Sequence, residues 1–592
     1  MPDQPPDLTA TTALKSARLG VALRRSFFKG YQLADLRADL LAGAVVGVVA
    51  LPLSMALAIA SGVPPQHGLY TAIVAGAVIA ALGGSKVQVS GPTAAFVVIL
   101  APIAARFGLG GLLLATLMAG LLLVAMGLAR LGDLIQFVPY PVTTGFTAGI
   151  AIVIGTLQVK DLLGLDTGKL PEHYLDRLAV LIRALPTSRW PEVTIGALTL
   201  AILLLWPRVT KRVPPPLVAL AGGGLAAWWL SRTVPHFSVA TIGTRFSYEV
   251  DGVVRGGIPS LPPLPGLPWH FSAAGDEPLV LSFDLVRQLV PAAFAIAMLG
   301  AIESLLSAVV ADGMTAKRHD PNGELLAQGI GNLVAPFFGG IAATGALART
   351  ATNIRSGARS PVAAIVHSLF VLLSVLLLAP LLGYLPMASL AALLLLVAWN
   401  MSEARHVVHT MRVAPRGDIA VLVTCLLLTV IFDMTVSVTA GIVLASFLFM
   451  RRMAAITEVK LVGAHELELG EPLPREIVVY EIAGPLFFGA AHKAMSALRQ
   501  VHQEAKVVVL DLREVPVLDA TGLVALDSAV GRLRSGGALV VLAGVRRQPL
   551  RALAKAGWRN QPGSLAIGRS FDKALAAARE HVAHGKQVPL FR

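Results

Sequence analysis

The sequence APFFGGIAATGALARTATNIRSGARSP, residues Ala335–Pro361, decides the fold class of this chain. It is too rich in Gly, Ala, Thr and Arg for a lipid-facing helix, yet it lies among apolar segments of membrane-spanning length. One acid, Glu303, lies on an apolar segment just upstream. Broken, Gly-interrupted segments and an acid within a span both mark transport sites in membrane proteins. The stretch therefore predicts a protein that moves a solute across a membrane.

Composition supports a membrane protein with a soluble C-terminal part. The chain is 55% hydrophobic and 14% charged, whereas soluble domains contain about 25% charged residues. Residues 455–592 nevertheless hold 31 of the 84 charged residues. We therefore predict a cytoplasmic N-terminal segment over residues 1–38, a transmembrane transport domain over 39–454 and a cytoplasmic domain over 455–592.

The apolar segments predict fourteen spans, an α-helical membrane fold with both termini in the cytoplasm. The orientation follows from the basic residues, which concentrate in loops after even-numbered spans. We expect a multi-pass protein of the cell inner (cytoplasmic) membrane, with the lipid bilayer as its solvent. The predicted spans are 39–62, 67–83, 91–107, 110–130, 138–160, 191–206, 215–231, 287–311, 324–338, 344–354, 361–379, 386–400, 417–433 and 435–450.

Several function classes find no support in the residues. The net charge of +14 comes without a basic patch interleaved with aromatics, so no nucleic-acid partner is expected. The single cysteine, Cys425, excludes a disulfide framework and a cysteine metal cluster. A nucleophile elbow and a P-loop are also missing from the sequence, so we expect no enzyme, no ATP-driven pump, no cofactor and no metal.

Two segments resemble each other across the halves of the chain. VQVSGPTAAFVVIL, Val87–Leu100, follows a Gly-Gly break and opens the third predicted span at a polar Gly-Pro-Thr. Ala342–Thr352 opens the tenth span in the same way after Gly339 and Gly340. Third and tenth are equivalent positions in a 7+7 inverted repeat. Two helix N-termini meeting at mid-membrane would form an anion site; the alternative is that the glycines only kink packed spans.

With these residues in place, the chain resembles the sulfate permease (SulP) family of anion transporters, from about residue 30 to residue 585. MLGAIESLL (Met298–Leu306) and LLLVAWNMSEA (Leu394–Ala404) are similar to its DauA-type branch, bacterial C4-dicarboxylate transporters. The motifs that carry the family resemblance are PLSMALAIASGVPPQHGLY (Pro52–Tyr70), GPTA (Gly91–Ala94), IESLL (Ile302–Leu306) and the Ala335–Pro361 stretch.

The resemblance implies fourteen spans in a core and a gate domain, an elevator-like cycle and a homodimer often held through the tail. Many sulfate-transporting relatives carry Gln and an aromatic where this chain has Leu53 and Leu57, a departure shared with the dicarboxylate branch. Glu303 occupies the family's acidic position on span eight. The substrate-binding residues implied by the matching motifs are Leu53, Leu57, Thr93, Ala94, Ala346, Leu347, Ala348 and Arg349.

The function predicted from these features is secondary active uptake of C4-dicarboxylates such as succinate, fumarate and aspartate, coupled to protons. Glu303 would take up and release the proton; a sodium-coupled bicarbonate branch has Asp there, so Glu favours protons over sodium. Alternatively, Glu303 and Arg349 form a purely structural salt bridge. Sulfate or bicarbonate uptake is an alternative substrate assignment. A membrane sensor or scaffold that signals through the tail is an alternative of another class.

The tail predicts a small α/β domain. Its strands are EIVVYEIAG (Glu476–Gly484), KVVVLDLREVPVLD (Lys506–Asp519) and ALVVLAG (Ala538–Gly544), with helices near 490–504, 522–534, 547–556 and 570–583. It resembles the STAS domain shared by these transporters and bacterial anti-sigma-factor antagonists, which implies a cytoplasmic protein partner. Thr521 stands where the antagonists carry a phosphorylated serine; the favoured interpretation is that Thr521 caps the following helix.

Overall fold

The computed structural model describes residues 19–28, 30–133, 138–168, 170–171, 173–210, 213–250, 253–271, 279–432, 434–456, 458–461, 473–487 and 505–584. By internal contacts the chain divides into two compact units, Met1–Ile442 and Val443–Arg592. The predicted domain boundary between residues 454 and 455 stays a prediction.

Helices dominate the first half of the membrane unit. A short antiparallel hairpin, β2 (Ser247–Val250) with β3 (Val253–Gly256), lies between the seventh and eighth predicted spans. The remaining strand, β1, is Ser90–Gly91. The helices are α1 (Val21–Phe28), α2 (Leu33–Ala60), α3 (Pro65–Leu82), α4 (Ala94–Leu128), α5 (Tyr140–Leu163), α6 (Tyr174–Ala184), α7 (Trp190–Val209), α8 (Pro215–Thr233) and α9 (Ile242–Arg245).

The second half is again helical, with one further two-residue strand, β4 (Thr344–Gly345). Its helices are α10 (Phe283–Thr315), α11 (Pro321–Val334), α12 (Leu347–Arg355), α13 (Val362–Leu382), α14 (Met387–Ser402), α15 (Ala404–Val413), α16 (Arg416–Ile431) and α17 (Met434–Ile456).

Every predicted span coincides with helical residues, so the predicted count is consistent with the structure. The third and fourth spans are both in α4, which is broken at Gly108, where φ is 68° and ψ is −172°. By length and composition, nine helical segments among the described residues could each cross a membrane alone. The ninth span ends earlier than predicted, because α11 stops at Val334 and a 3₁₀ turn follows. The short helices α6 and α15 were not predicted.

The helices of the membrane unit pack in two groups, as the predicted core and gate domains require. The first group contains α2, α3, α4, α10, α11, α12 and α13, which contact one another extensively. The second contains α5, α7, α8, α14 and α16. The first group includes both broken segments. Its interior is lined by small residues such as Ala42, Ala72, Ala75 and Ala327, which let the helix backbones approach closely.

The C-terminal unit contains a five-stranded sheet in the order β5-β6-β7-β8-β9, in which only the β5–β6 pair is antiparallel. The alternating side chains of β7 feed two cores: Val508 and Leu510 pack under α18 and α19, and Val507 and Val509 pack under α20. The predicted helix near 490–504 lies outside the described residues, and β5 and β9 were not predicted. The elements are β5 (Glu458–Leu461), β6 (Ile477–Ala483), β7 (Val507–Asp511), α18 (Ala520–Ser535), β8 (Leu539–Ala543), α19 (Arg547–Lys555), β9 (Leu565–Ile567) and α20 (Phe571–His584).

Candidate anion-binding site

The two broken segments, which the sequence placed 250 residues apart, pair with each other. Strands β1 and β4 form an antiparallel ladder in which Ser90 lies opposite Gly345 and Gly91 opposite Thr344. The amide of Ala346 extends the ladder by donating to the carbonyl of Val89 at 2.8 Å. Antiparallel pairing of equivalent segments is the arrangement that an inverted repeat predicts. The pairing places the beginnings of α4 and α12 beside each other.

Neither helix N-terminus is capped by the side chain of its N-cap residue. Thr93 and Ala346 are the N-cap residues of α4 and α12, and neither side chain accepts a hydrogen bond from its own helix. The first N–H groups of a helix have no partner within the helix and carry the positive end of its dipole. Two such ends side by side attract an anion.

Arg349 brings a full positive charge to this place. Its side chain is 2% exposed, and Nη2 donates a hydrogen bond to the carbonyl oxygen of Pro92. Nε and Nη1 are buried and have no hydrogen-bond partner among the described residues. Buried polar atoms are normally satisfied, so two unpaired donors on a buried guanidinium are an exception that needs an explanation. A bound anion would provide the missing acceptors.

Two glycines allow this close approach. Gly91 has a φ of 155°, and a Cβ atom built on it would lie 2.7 Å from Nη1 of Arg349. A Cβ atom on Gly345 would lie 2.1 Å from Nε2 of Gln88. A side chain at either position would displace one of these polar groups, and at Gly91 the positive φ additionally favours glycine.

Glu303, on α10, contacts the N-cap of α4 but does not form an ion pair with Arg349. Its Oε2 accepts a hydrogen bond from the hydroxyl of Thr93 at 2.7 Å. Glu303 and Arg349 interact electrostatically, yet within the described residues no contact of 4.0 Å or less joins them. The side chain of Glu303 is half-buried, so part of it still faces open space. A direct salt bridge, the structural alternative for these two residues, is therefore not formed.

The other predicted substrate-binding residues differ in exposure. Leu57, Ala94 and Ala346 are buried, and Leu53 is half-buried. Leu347 is 48% exposed, and Ala348 is also exposed. Helix α12 packs against α2, which carries Leu53 and Leu57, so these two helices are neighbours within the first group.

Sequence reasoning missed the polar network that supports the site. The carboxylate of Glu324, 1% exposed, accepts hydrogen bonds from the amides of Gly84 and Ser85 at 3.0 and 3.1 Å. It also accepts from Nε2 of Gln88 at 3.1 Å and of Gln328 at 3.3 Å. In the sequence Glu324 is only the first residue of the ninth predicted span, and in the structure it lies in the first turn of α11. The network fixes the segment that leads into β1.

A second set of contacts fixes the α12 side. The hydroxyl of Thr350 accepts from the amide of Val89 at 3.1 Å, and Nδ2 of Asn353 donates to the carbonyl of Val87 at 2.8 Å. Thr344 donates to the carbonyl of Gly300 on α10 at 3.0 Å, one helical turn before Glu303. The signal that could have found these residues is the excess of Gln, Asn, Ser and Thr within otherwise apolar spans.

The residues around the site also bear on whether a metal ion or a histidine takes part. Within the described ranges, no group of three or more His, Cys, Asp or Glu side chains could hold a metal ion. His67 is engaged by the fold: its Nδ1 lies 2.7 Å from the carbonyl oxygen of Gly339 and must donate, because a carbonyl can only accept. The site therefore offers backbone N–H groups, one guanidinium and one carboxyl.

In the C-terminal unit, the capping role assigned to Thr521 is wrong. The N-cap of α18 is Asp519, whose Oδ1 accepts from the amide of Gly522 at 2.7 Å. Thr521 is an exposed residue in the first turn. Aspartate is as good an N-cap as serine or threonine, and it stands three residues before the N–H that it caps. The phosphorylation of Thr521 stays a prediction.

Comparison with known proteins identifies the family of this chain. Residues 36–425 match the sulfate permease family, and residues 472–573 match the STAS domain family. "Putative sulfate transporter YvdB" of Bacillus subtilis is 41% identical over 533 residues, covering 90% of this chain and 95% of its own length. "Bicarbonate transporter BicA" of Picosynechococcus is 28% identical and covers 94% and 97% of the two chains.

Solved structures give the same fold. The transmembrane domain of a cyanobacterial bicarbonate transporter BicA aligns with a TM-score of 0.56 at 28% identity, over 70% of this chain and 98% of its own. The murine Slc26a9 anion transporter in the inward-facing state aligns with a TM-score of 0.79 over 98% and 96% of the two chains, at 16% identity. This multi-pass membrane protein, with its C-terminal STAS domain, belongs to the sulfate permease family of anion transporters.

Proposed function

We propose that this chain takes up a small anion by a secondary active, elevator-like cycle, and that the anion binds between the N-termini of α4 and α12. The observation that carries the proposal is the buried guanidinium of Arg349, whose Nε and Nη1 have no acceptor among the residues that the structure describes. The carbonyl of Pro92 orients the group, and the unpaired donors remain for the ligand. An Arg fork binds a carboxylate or an oxyanion through two hydrogen bonds.

For the substrate, we propose a C4-dicarboxylate. Leu53 and Leu57 lie on α2, against which α12 packs, and the half-buried Leu53 offers apolar surface for a hydrocarbon chain. Sulfate and bicarbonate contain no such chain and would gain nothing from leucine side chains. A single guanidinium at the site leaves the second carboxylate to the helix N-termini.

Sulfate or bicarbonate transport is the second candidate, and it is favoured by two relatives, one named as a putative sulfate transporter and one as a bicarbonate transporter. For the coupling ion we propose a proton carried by Glu303, because its side chain is only half-buried and its carboxyl accepts a hydrogen bond from Thr93, the N-cap of α4. Occupation of the anion site and protonation of Glu303 would then influence each other electrostatically.

The experiment is uptake into proteoliposomes containing the purified full chain. Labelled succinate, sulfate and bicarbonate are supplied in parallel, each under an imposed pH gradient and under a sodium gradient. Succinate accumulation driven by inward proton movement supports the proposal. Accumulation of sulfate or bicarbonate without succinate would reject the dicarboxylate assignment, and accumulation driven only by sodium would reject Glu303 as a proton carrier.

A further inference from the structure

A cavity of about 720 Å³ lies between the two groups of helices. Helices α2 and α13 of the first group form one wall, and α8 of the second group forms the other. The wall residues are almost all aliphatic or aromatic, among them Leu51, Leu220 and Phe370. The polar side chains are Ser374, Tyr384 and the indole of Trp228. An anion would be desolvated there without compensation, so this cavity is unsuited to the substrate.

The cavity is an open cleft with an elongated course. It extends from Leu51 and Pro52, near the middle of α2, to Trp228 and Tyr384, at the C-terminal ends of α8 and α13. Leu225 and Leu381 on its walls are 67% and 65% exposed. In a helix bundle within a bilayer, exposed leucines face hydrocarbon rather than water. The shape and the lining both fit an acyl chain.

A basic residue stands at one end of the cleft. The guanidinium carbon of Arg232 lies 4.1 Å from the centroid of the Trp228 ring, which itself lines the cleft. Arg232 is exposed, and Tyr384 on the opposite wall is 63% exposed. Trp and Tyr concentrate at the membrane–water interface, and arginine extends toward it. This end therefore presents a positive charge and hydrogen-bond donors at the level where lipid phosphates lie.

We propose that the cleft between α2, α8 and α13 binds one acyl chain of an anionic phospholipid, with its phosphate near Arg232 and Tyr384. Charge complementarity selects a lipid with net negative charge over a zwitterionic one. Because the cleft separates the two helix groups, the lipid fills space whose shape changes when the groups move. The cleft shares α2 with the anion site, but α4 and α12, whose N-termini bind the anion in our proposal, do not line it.

The test is native mass spectrometry of the purified full chain with phosphatidylglycerol and phosphatidylcholine of equal chain length. Wild type should retain phosphatidylglycerol about fivefold better, since one basic residue near an anionic headgroup contributes roughly 1 kcal/mol. Arg232→Gln should remove that preference while phosphatidylcholine binding persists. The matched control is Arg287→Gln, which removes an exposed arginine of α10 away from the cleft. An unchanged preference in Arg232→Gln would overturn the headgroup assignment.

The acyl-chain assignment has its own variants. Ala221→Phe places a ring in the cleft and should abolish retention of both lipids, whereas Val193→Phe on α7, which does not line the cleft, should not. If Ala221→Phe does not insert, Gly224→Leu tests the same space, because the nearest atom to a Cβ there is 3.9 Å away. Retention of lipid by the filled variant would overturn the proposal, and so would equally tight binding of water-soluble glycerol 3-phosphate.

Discussion

The hydroxyl of Thr93 donates a hydrogen bond to Oε2 of Glu303 at 2.7 Å. This contact links the N-cap of α4, one end of the proposed anion site, to the proposed proton carrier on α10. Two residues that are 210 positions apart therefore share one hydrogen bond, and a change in either should be felt by the other. In our proposal, this contact is the physical connection between anion binding and coupling.

The first prediction concerns Arg349. Arg349→Ala should weaken anion binding to the purified full chain by tenfold or more, about 1.4 kcal/mol at least, because a charged donor to the ligand is lost. Binding is measured by titration calorimetry with succinate and with sulfate. Arg355→Ala is the control, since Arg355 lies on the same helix but is exposed. Unchanged affinity in a folded Arg349→Ala protein would exclude a direct role of the guanidinium.

The second prediction concerns Glu303. Glu303→Gln keeps the size of the side chain but cannot exchange a proton, so acid-stimulated accumulation should disappear while exchange of bound anion continues. Both are measured in proteoliposomes with and without a pH gradient. Asp284→Asn, an exposed acid in the first turn of the same helix, is the control. Uptake that still follows the pH gradient in Glu303→Gln would contradict the assignment.

The third prediction uses the contact between Thr93 and Glu303. Thr93→Ser retains the hydroxyl and should transport like wild type. Thr93→Val removes one hydroxyl and leaves the backbone donors of α4, so affinity should fall only mildly, within the roughly 0.5–1.5 kcal/mol of an ordinary hydrogen bond. The proton dependence of uptake should change in Thr93→Val as well. Identical proton dependence in Thr93→Val and Thr93→Ser would show that the contact has no part in coupling.

The fourth prediction concerns the support beneath the site. Glu324→Ala leaves the amides of Gly84 and Ser85 and two side-chain amides without their common acceptor. Each unsatisfied buried donor costs about 1–3 kcal/mol. We therefore expect a clear fall in the thermal unfolding temperature in detergent, with Glu324→Gln intermediate because its amide oxygen still accepts. Wild-type stability of Glu324→Ala would show that water replaces the carboxylate.

The fifth prediction concerns the C-terminal unit. Truncation near residue 455 should leave an inserted membrane unit that binds anion with wild-type affinity but transports more slowly or forms a weaker dimer. The reason is that every residue proposed to contact the anion precedes residue 361. Binding is compared by calorimetry and oligomeric state by light scattering. A truncated protein that is folded yet binds no anion would mean that the C-terminal unit is needed to assemble the site.

The sequence alone determined the membrane fold and the position of the broken segments. Hydrophobic runs long enough to span a bilayer must form helices, because lipid leaves backbone groups no other partner. Gly-rich interruptions in two equivalent spans were therefore readable as helix starts, and Glu303 and Arg349 as charges that need a reason for burial. The run of β-branched residues Val507–Val509 likewise indicated a strand. These signals are local, so they need no partner residue for their interpretation.

Only the tertiary structure decided which of these residues meet. The ladder of Ser90 with Gly345 joins segments from the two halves of the chain, whose pairing is set by how these halves fold together within the first group of helices, and no local pattern encodes it. Burial converted Glu324 from an ordinary first-turn acid into the acceptor for four donors. The tertiary structure also leaves Glu303 and Arg349 without a direct salt bridge, although the sequence had suggested these two charges as partners. Long-range contacts of this kind depend on which helix faces pack together. A single sequence shows which face of a helix is apolar, but it does not show which other helix packs against that face.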